Sequence, residues 1–408
     1  VSGVLLLAGL LLSSPTGRDD DELTAVKNAP RQVDASRQQI FSLAWRRPMV
    51  RTGLHRQVGT SFGAPALSRV DDIVVAASGE GDVRALRVKD GTVVWEFHHR
   101  ASFETSIVII DATEDPNGSP DELAILGARD GELFALEVPT GKVRWQETLE
   151  GDPRAPAQSL GEQLLVTTSA NKLYVLDSHS GNIEWSKGRP MPNGLTVVGH
   201  AMALAQDGVV YTSFSDGYAE AYRLADGSAV WSSPLSIGGG DFVDADADPV
   251  IVGDKVIFAS YSDGIYGLNI RDGQAAWHRR APAVTRLVPF NKMVIAASAD
   301  GYLWGLEQED GTMVYRTRFA SGDISRMVVR DNLVVLNAGE SGLVVFDGYS
   351  GKPLQAAGYG EPFAGDLAWE GEELAFVAAS GYLYLHRMVV APSPALQPTP
   401  SSPSASLR

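Results

Sequence analysis

Short apolar runs broken by Asp-Gly and Ser-Gly turns recur along nearly the whole chain. Residues 241–277 hold one complete instance. Val250, Ile251 and Val252 form a first apolar stretch, closed by Gly253-Asp254. Residues 255–260 form a second with β-branched side chains, followed by the turn Ser262-Asp263-Gly264. Residues 265–270 form a third, Asp272-Gly273 turns the chain again, and residues 274–277 lead to Trp277. Apolar runs of this length, punctuated by Asp-Gly, are strand-turn-strand signals. Four such strands in sequence order predict an antiparallel meander.

The same unit repeats. An aromatic residue follows a turn glycine by four positions at Gly91 and Trp95, Gly141 and Trp145, Gly181 and Trp185, Gly227 and Trp231, Gly273 and Trp277, and Gly311 and Tyr315. A seventh unit has Gly351, with Leu354 as the substitute for the aromatic. An eighth begins at Gly381 and stops before its own fourth strand. The missing strand is predicted at the other end of the chain, where residues 38–49 carry Trp45 in the same local context. Aromatic or substitute positions at 45, 95, 145, 185, 231, 277, 315 and 354 define eight units spaced roughly 38–50 residues apart, in the range for four short strands and their turns. The fold expected is all-β: an eight-bladed β-propeller of four-stranded antiparallel blades, closed by an N-terminal strand that completes the last blade. Such closure removes open sheet edges at the seam. The tryptophans are expected to dock between blades as core, and the glycines to permit φ > 0 in the preceding turn.

Length alone, 408 residues, suggests two or three domains, but one ring over residues 38–390 uses almost all of the chain. Residues 1–16 contain an apolar run (Val4 to Leu12) followed by small residues and Pro15, which resembles a secretory signal without its basic start. Residues 17–37 form a polar spacer. Residues 391–408 are rich in Pro and Ser and are expected to be disordered. The formal net charge is −16, which argues against nucleic acid as a partner and against anionic lipid held by the body of the ring. Membrane contact is left to the N-terminal segment or to a partner. With no cysteine in the chain as given, disulfides, thiolate catalysis, cysteine-based zinc sites and cysteine lipidation are not expected within it.

Candidate chemistry is sparse. Between the first two strands of the second unit an acidic loop places Thr113, Asp115, Asn117 and Asp121 at alternating positions, with Gly118 at the bend. Alternate side chains converging on one cation are the logic of calcium loops, and this loop resembles those of FG-GAP propeller repeats. A solvated acidic turn accounts for the same residues, since Thr113 stands where an Asp is usual and Pro116 interrupts the loop. His98 and His99 are adjacent, so in a strand they face opposite sides and are poor joint ligands. No His-Glu-x-x-His, Gly-x-Ser-x-Gly or phosphate-loop motif occurs. The expectation is a protein that is not an enzyme.

The repeats, with their Leu-x-Ala-Leu strands and Gly-x-x-x-Trp turns, resemble pyrroloquinoline-quinone-type propeller repeats. Two branches of that group bear on function. Quinoprotein dehydrogenases carry a vicinal cysteine pair, which this chain lacks. Similarity to the outer-membrane protein assembly factor BamB family covers roughly residues 38–388, with its most specific match from Asp244 through Pro249 to Trp277. That resemblance implies a non-enzymatic scaffold on the periplasmic side of a Gram-negative outer membrane, with no cofactor. It implies binding to the periplasmic domains of the barrel-assembly protein BamA, and handling of unfolded outer-membrane proteins. Carried over residue by residue, it implies a partner surface at Asp244 and Asp246 together with Leu195, Val197 and Val198. Val198 stands where the family has Arg, so a charge pairing is missing there. Turn capping ahead of Pro249 and ordinary strand packing are the alternatives for these residues. A quinone-dependent oxidoreductase and a calcium-binding sensor or adhesion propeller remain as other functional readings.

Overall fold

In a computed structural model the described residues are 39–49, 63–112, 121–191, 201–235, 247–319, 324–358 and 365–389. The signal-like segment, the spacer and the C-terminal tail lie outside them. Apart from a 3₁₀ turn at Gly339–Ser341, every regular element among the described residues is a strand. The strands form eight four-stranded sheets, numbered here as blades 1 to 8. Blades 1 to 7 span residues 66–98, 108–148, 158–188, 204–234, 250–279, 284–318 and 328–357. Each is a meander of consecutive antiparallel strands, from the inner strand at the channel to the outer strand at the rim. Blade 8 takes its first three strands from residues 368–388 and its outer strand from Phe41–Pro48. Phe41 pairs with Met388 and Pro48 with Tyr382, so closure by the N-terminal strand is as expected.

The two middle strands of a blade are covered on both faces by its neighbours, so they are continuous apolar runs. Lys255–Ser260 and Met293–Ser298 are buried at every position. Outer strands touch a neighbour on one side only. In Val93–His98 and Val143–Thr148 the aromatic is the only fully buried position. The core is therefore divided into eight apolar wedges, each lying between adjacent blades. The wedge between blades 8 and 1 contains Trp45, Val74, Val88 and Leu385 and makes the ring continuous across the seam.

The aromatics join the blades in one direction. The indole Nε1 of Trp45 donates to Val88 O (2.9 Å), Trp95 to Val138 O (2.7 Å), Trp145 to Ser178 O (3.0 Å) and Trp185 to Leu224 O (2.8 Å). Trp231 donates to Ile270 O (3.1 Å), Trp277 to Gln308 O (2.9 Å), and the Tyr315 hydroxyl to Gly348 O (3.0 Å). Every acceptor lies three residues before the turn glycine of the next blade. That glycine carries the ring face. Gly141 has φ +71°, and a Cβ there would lie 2.5 Å from Trp95 Cδ2. The glycine thus serves both the left-handed turn and the close approach of the neighbouring indole.

One detail of the sequence reading is corrected. Leu354 does not occupy the aromatic slot. A bulge precedes that slot in all eight outer strands. In blade 7 Val345 pairs with Gln355 and Phe346 with Pro353, which leaves Leu354 as the extra residue. Gln355 therefore stands where Trp277 and Tyr315 stand in their blades. The reason is visible at the seam. The turn on which an aromatic would dock does not exist in blade 8, because its outer two strands, residues 382–388 and 41–48, come from opposite ends of the described chain. In its place, Gln355 Oε1 accepts from Ile40 N (2.7 Å) and Phe41 N (2.8 Å), and Nε2 donates to Phe41 O (2.9 Å).

Candidate functional site

Strand order fixes two faces. Each inner strand starts on one face, where connections between successive blades arrive. The turns joining inner to second and third to outer strands lie on the other. Leu195, Val197, Val198, Asp244 and Asp246 belong to inter-blade connections and lie outside the described residues. Their chain continues into the ring at residues 201–203 and 247–249, on the first face. Thr113, Asp115 and Asn117 also lie outside the described residues. Asp121, at the root of that loop, is on the second face. The chain enters and leaves the ring there too, where Val389 N donates to Ile40 O (2.8 Å).

The first face converges on a charged network at the mouth of the central channel. Arg326 grips Asp248 through Nε and through Nη2 (3.1 Å to Oδ1), and Asp366 through Nη1 (2.8 Å). Asp366 Oδ1 also accepts from Arg326 N (2.7 Å), and its Oδ2 accepts from Ser106 Oγ (3.1 Å). Ser106 Oγ accepts from Ala64 N (3.0 Å). Asp248 Oδ1 accepts from Met202 N (2.8 Å). Hydrogen bonds thus link blades 1, 2, 4, 5, 7 and 8. Strand registers explain the convergence. Ala64, Ser106, Met202, Asp248, Arg326 and Asp366 all stand two positions before their inner strands. Arg286 holds the equivalent place in blade 6, since Val288 to Phe290 pair as Val328 to Arg330 do. Burial pushes the Asp248 carboxyl up, but the Arg326 guanidinium and the Met202 amide outweigh it and hold the group below the usual carboxylate range. Burial likewise opposes the charge on Arg326, and its two carboxylates more than restore it.

Sequence reasoning missed this network. Asp248 stands out only as the last acid of the run at residues 244–248 and as the residue before Pro249, and Arg326 and Asp366 carry no local motif. Aligning the repeats on their inner strands would have put Asp248, Arg286, Arg326 and Asp366 in one column. The structure also separates the paired histidines. His98 Nδ1 meets Asp82 (2.8 Å), whereas His99 Nε2 meets Asp130 of the next blade (2.9 Å). Among the described residues no group of three or more His, Asp or Glu is placed to hold a metal ion. Asp121 is engaged by a two-pronged contact from Arg144 (3.0 and 3.1 Å).

The family model for the outer membrane protein assembly factor BamB matches residues 79–315. The chain belongs to the BamB family. It is 24% identical to BamB of Escherichia coli over 317 residues, which covers 73% of this chain and 78% of that protein. With BamB of Yersinia pestis it shares 24% over 255 residues, 58% of this chain. The matches span 64% of the Yersinia pestis protein and 48% of the Shewanella oneidensis one. Among solved structures, BamB from Moraxella catarrhalis aligns with a TM-score of 0.70 at 21% identity, covering 86% of this chain and all of that one. The computationally designed Ika8 protein aligns with a TM-score of 0.63 at 16% identity. The ring is thus shared with a BamB structure and with a designed protein, so the fold by itself assigns no activity.

Proposed function

We propose that this protein is a non-enzymatic scaffold of outer-membrane β-barrel assembly, located in the periplasm and binding the periplasmic domains of a BamA-type protein through the channel-mouth face. Handling of unfolded outer-membrane proteins is part of the same reading. One observation carries the placement of the face. The bond from Met202 N to Asp248 Oδ1 ties the roots of the two segments that hold Leu195, Val197 and Val198 and Asp244 and Asp246. The two segments therefore leave the ring from adjacent points on neighbouring blades, as one composite surface requires. A rigid ring offering loops to a partner also fits binding by a broad contact area.

The test is a pull-down of the full chain against the periplasmic domains of its own organism's BamA, beside Asp244→Ala/Asp246→Ala. Binding by the parent that weakens in the double variant is the expected result. Binding that ignores the substitutions keeps the function and removes those two residues from the surface. No binding at micromolar concentrations refutes the proposal.

A further inference from the structure

The mouth network ties strand starts of separate blades to one another. Asp248 accepts from the root of the blade 4 segment with one oxygen while Arg326 grips both of its oxygens from blade 7. Arg326 is in turn held to blade 8 by Asp366, through side chain and backbone. A guanidinium offers donors in a fixed plane, so it can hold two carboxylates at a set spacing, which a lysine ammonium cannot do. The apolar wedges that hold the blades together run through the middle strands. Blades 4 and 5 share Tyr211, Trp231, Val256 and Phe258. The ring therefore has its own cohesion, and the ionic bridge acts on the strand starts.

We infer that Arg326 is a positioning residue for the partner surface: by clamping Asp248 against Asp366 it fixes where the segments preceding Met202 and Asp248 leave the ring. This rests on the scaffold reading above. Arg326 itself is not assigned a contact with the partner. Loss of the fork frees the blade 5 root from blades 7 and 8 while leaving the wedges intact. The strand starts at Met202 and Asp248 then sample several spacings, and the binding-competent one is populated less, which lowers apparent affinity by that fraction.

The experiment measures affinity of the full chain for the same periplasmic BamA domains, together with Tm and far-UV circular dichroism. The variants are Arg326→Met, Arg326→Lys and, as a control between blades 1 and 2, Gly141→Ala. Arg326→Met is expected to bind on the order of tenfold more weakly, with Arg326→Lys in between. Gly141→Ala is expected to lose Tm yet keep parental affinity, a contrast that a merely structural role would not produce. If Arg326→Met fails to fold, Arg326→Lys and Asp366→Asn supply the same comparison. Folded Arg326→Met that binds within about twofold of the parent, inside the usual scatter of additive effects, overturns the inference. So does a Gly141→Ala affinity that falls in step with Tm as that of Arg326→Met does. A parent that does not bind refutes the scaffold reading itself, and this inference with it.

Discussion

Gln355 is the position at which sequence repair and structure make opposite predictions. By the repeat alone, Gln355→Trp restores the missing aromatic and should tighten the ring. In the structure there is no turn glycine in blade 8 to receive an indole, and the slot is filled by the backbone of Ile40 and Phe41. Gln355 is buried and makes three hydrogen bonds to that backbone. Such bonds are worth roughly 0.5–1.5 kcal/mol each, so their loss in Gln355→Leu costs about 3 kcal/mol, and more if the two amides stay dry. The outer strand also keeps its pairing with Tyr382–Met388 and its docked Trp45. The cost should therefore appear as local opening of the seam, not as unfolding of the ring.

About 3 kcal/mol corresponds to about a hundredfold shift in an opening equilibrium. Native-state hydrogen exchange read by mass spectrometry resolves that shift. Amides of Phe41–Pro48 should exchange about a hundredfold faster in Gln355→Leu, while those of Val93–His98 stay at parental rates. Gln355→Trp should also accelerate exchange at the seam. Seam amides within about threefold of the parent in Gln355→Leu, a margin well under the hundredfold shift, or added protection in Gln355→Trp, would refute the latch reasoning.

Other outcomes follow from single sites. Gly141→Ala combines a left-handed φ with a Cβ 2.5 Å from Trp95 and should cost about 2–4 kcal/mol in urea denaturation; a loss below about 1 kcal/mol would mean the indole moves aside. His386 is fully buried among Phe376 and Tyr384, and burial lowers its pKa from 6.5 to about 4. The unfolded chain therefore takes up a proton that the folded ring refuses. Stability is full above about pH 6.5 and falls by about 3 kcal/mol as pH drops to about 4, then levels off for this group. His386→Leu should flatten the urea midpoint over that window, and an unchanged slope would locate the acid sensitivity elsewhere. Trp231→Phe removes the bond to Ile270 O and should cost about 1 kcal/mol in the same assay, because the Tyr211 hydroxyl still reaches that partly buried carbonyl (3.5 Å).

The strands, turns and ring closure were legible because they are local. Asp-Gly turns and glycine-to-aromatic spacing are set by neighbours in sequence, and the count of eight followed from repetition. The choice of Leu354 failed for a physical reason. Hydrophobicity pointed to the apolar residue, whereas the bulge that precedes every aromatic moves the slot one residue on, to a polar side chain serving a seam absent from the other blades. The mouth network was illegible because ring closure brings together residues as far apart as Ser106 and Asp366. None of them has a motif, and only their common register before the inner strand marks them. The partner residues implied by family likeness could be followed to their roots at Met202 and Asp248.

Two functional readings separate in space as a result. The segments proposed to bind the partner leave the ring on the mouth face. The acidic loop of blade 2 leaves it on the opposite face, beside Asp121 and on the side where both chain ends depart. A cation bound through Asp121 would have to share its carboxylate with Arg144, whose fork already engages both oxygens. Like charges so close repel, so binding there should be weak in the parent and strengthen in Arg144→Ala. Calorimetric titration of calcium into the two proteins checks this. Tight binding by the parent would contradict the competition and favour the sensor reading. Because the loop leaves the ring at Asp121, on the face opposite the mouth, calcium should leave the proposed binding of BamA domains unchanged. A calcium-dependent pull-down would require coupling through the ring, and the Arg326 network, whose hydrogen bonds link blades 1, 2, 4, 5, 7 and 8 at the mouth, would be the first place to look for it.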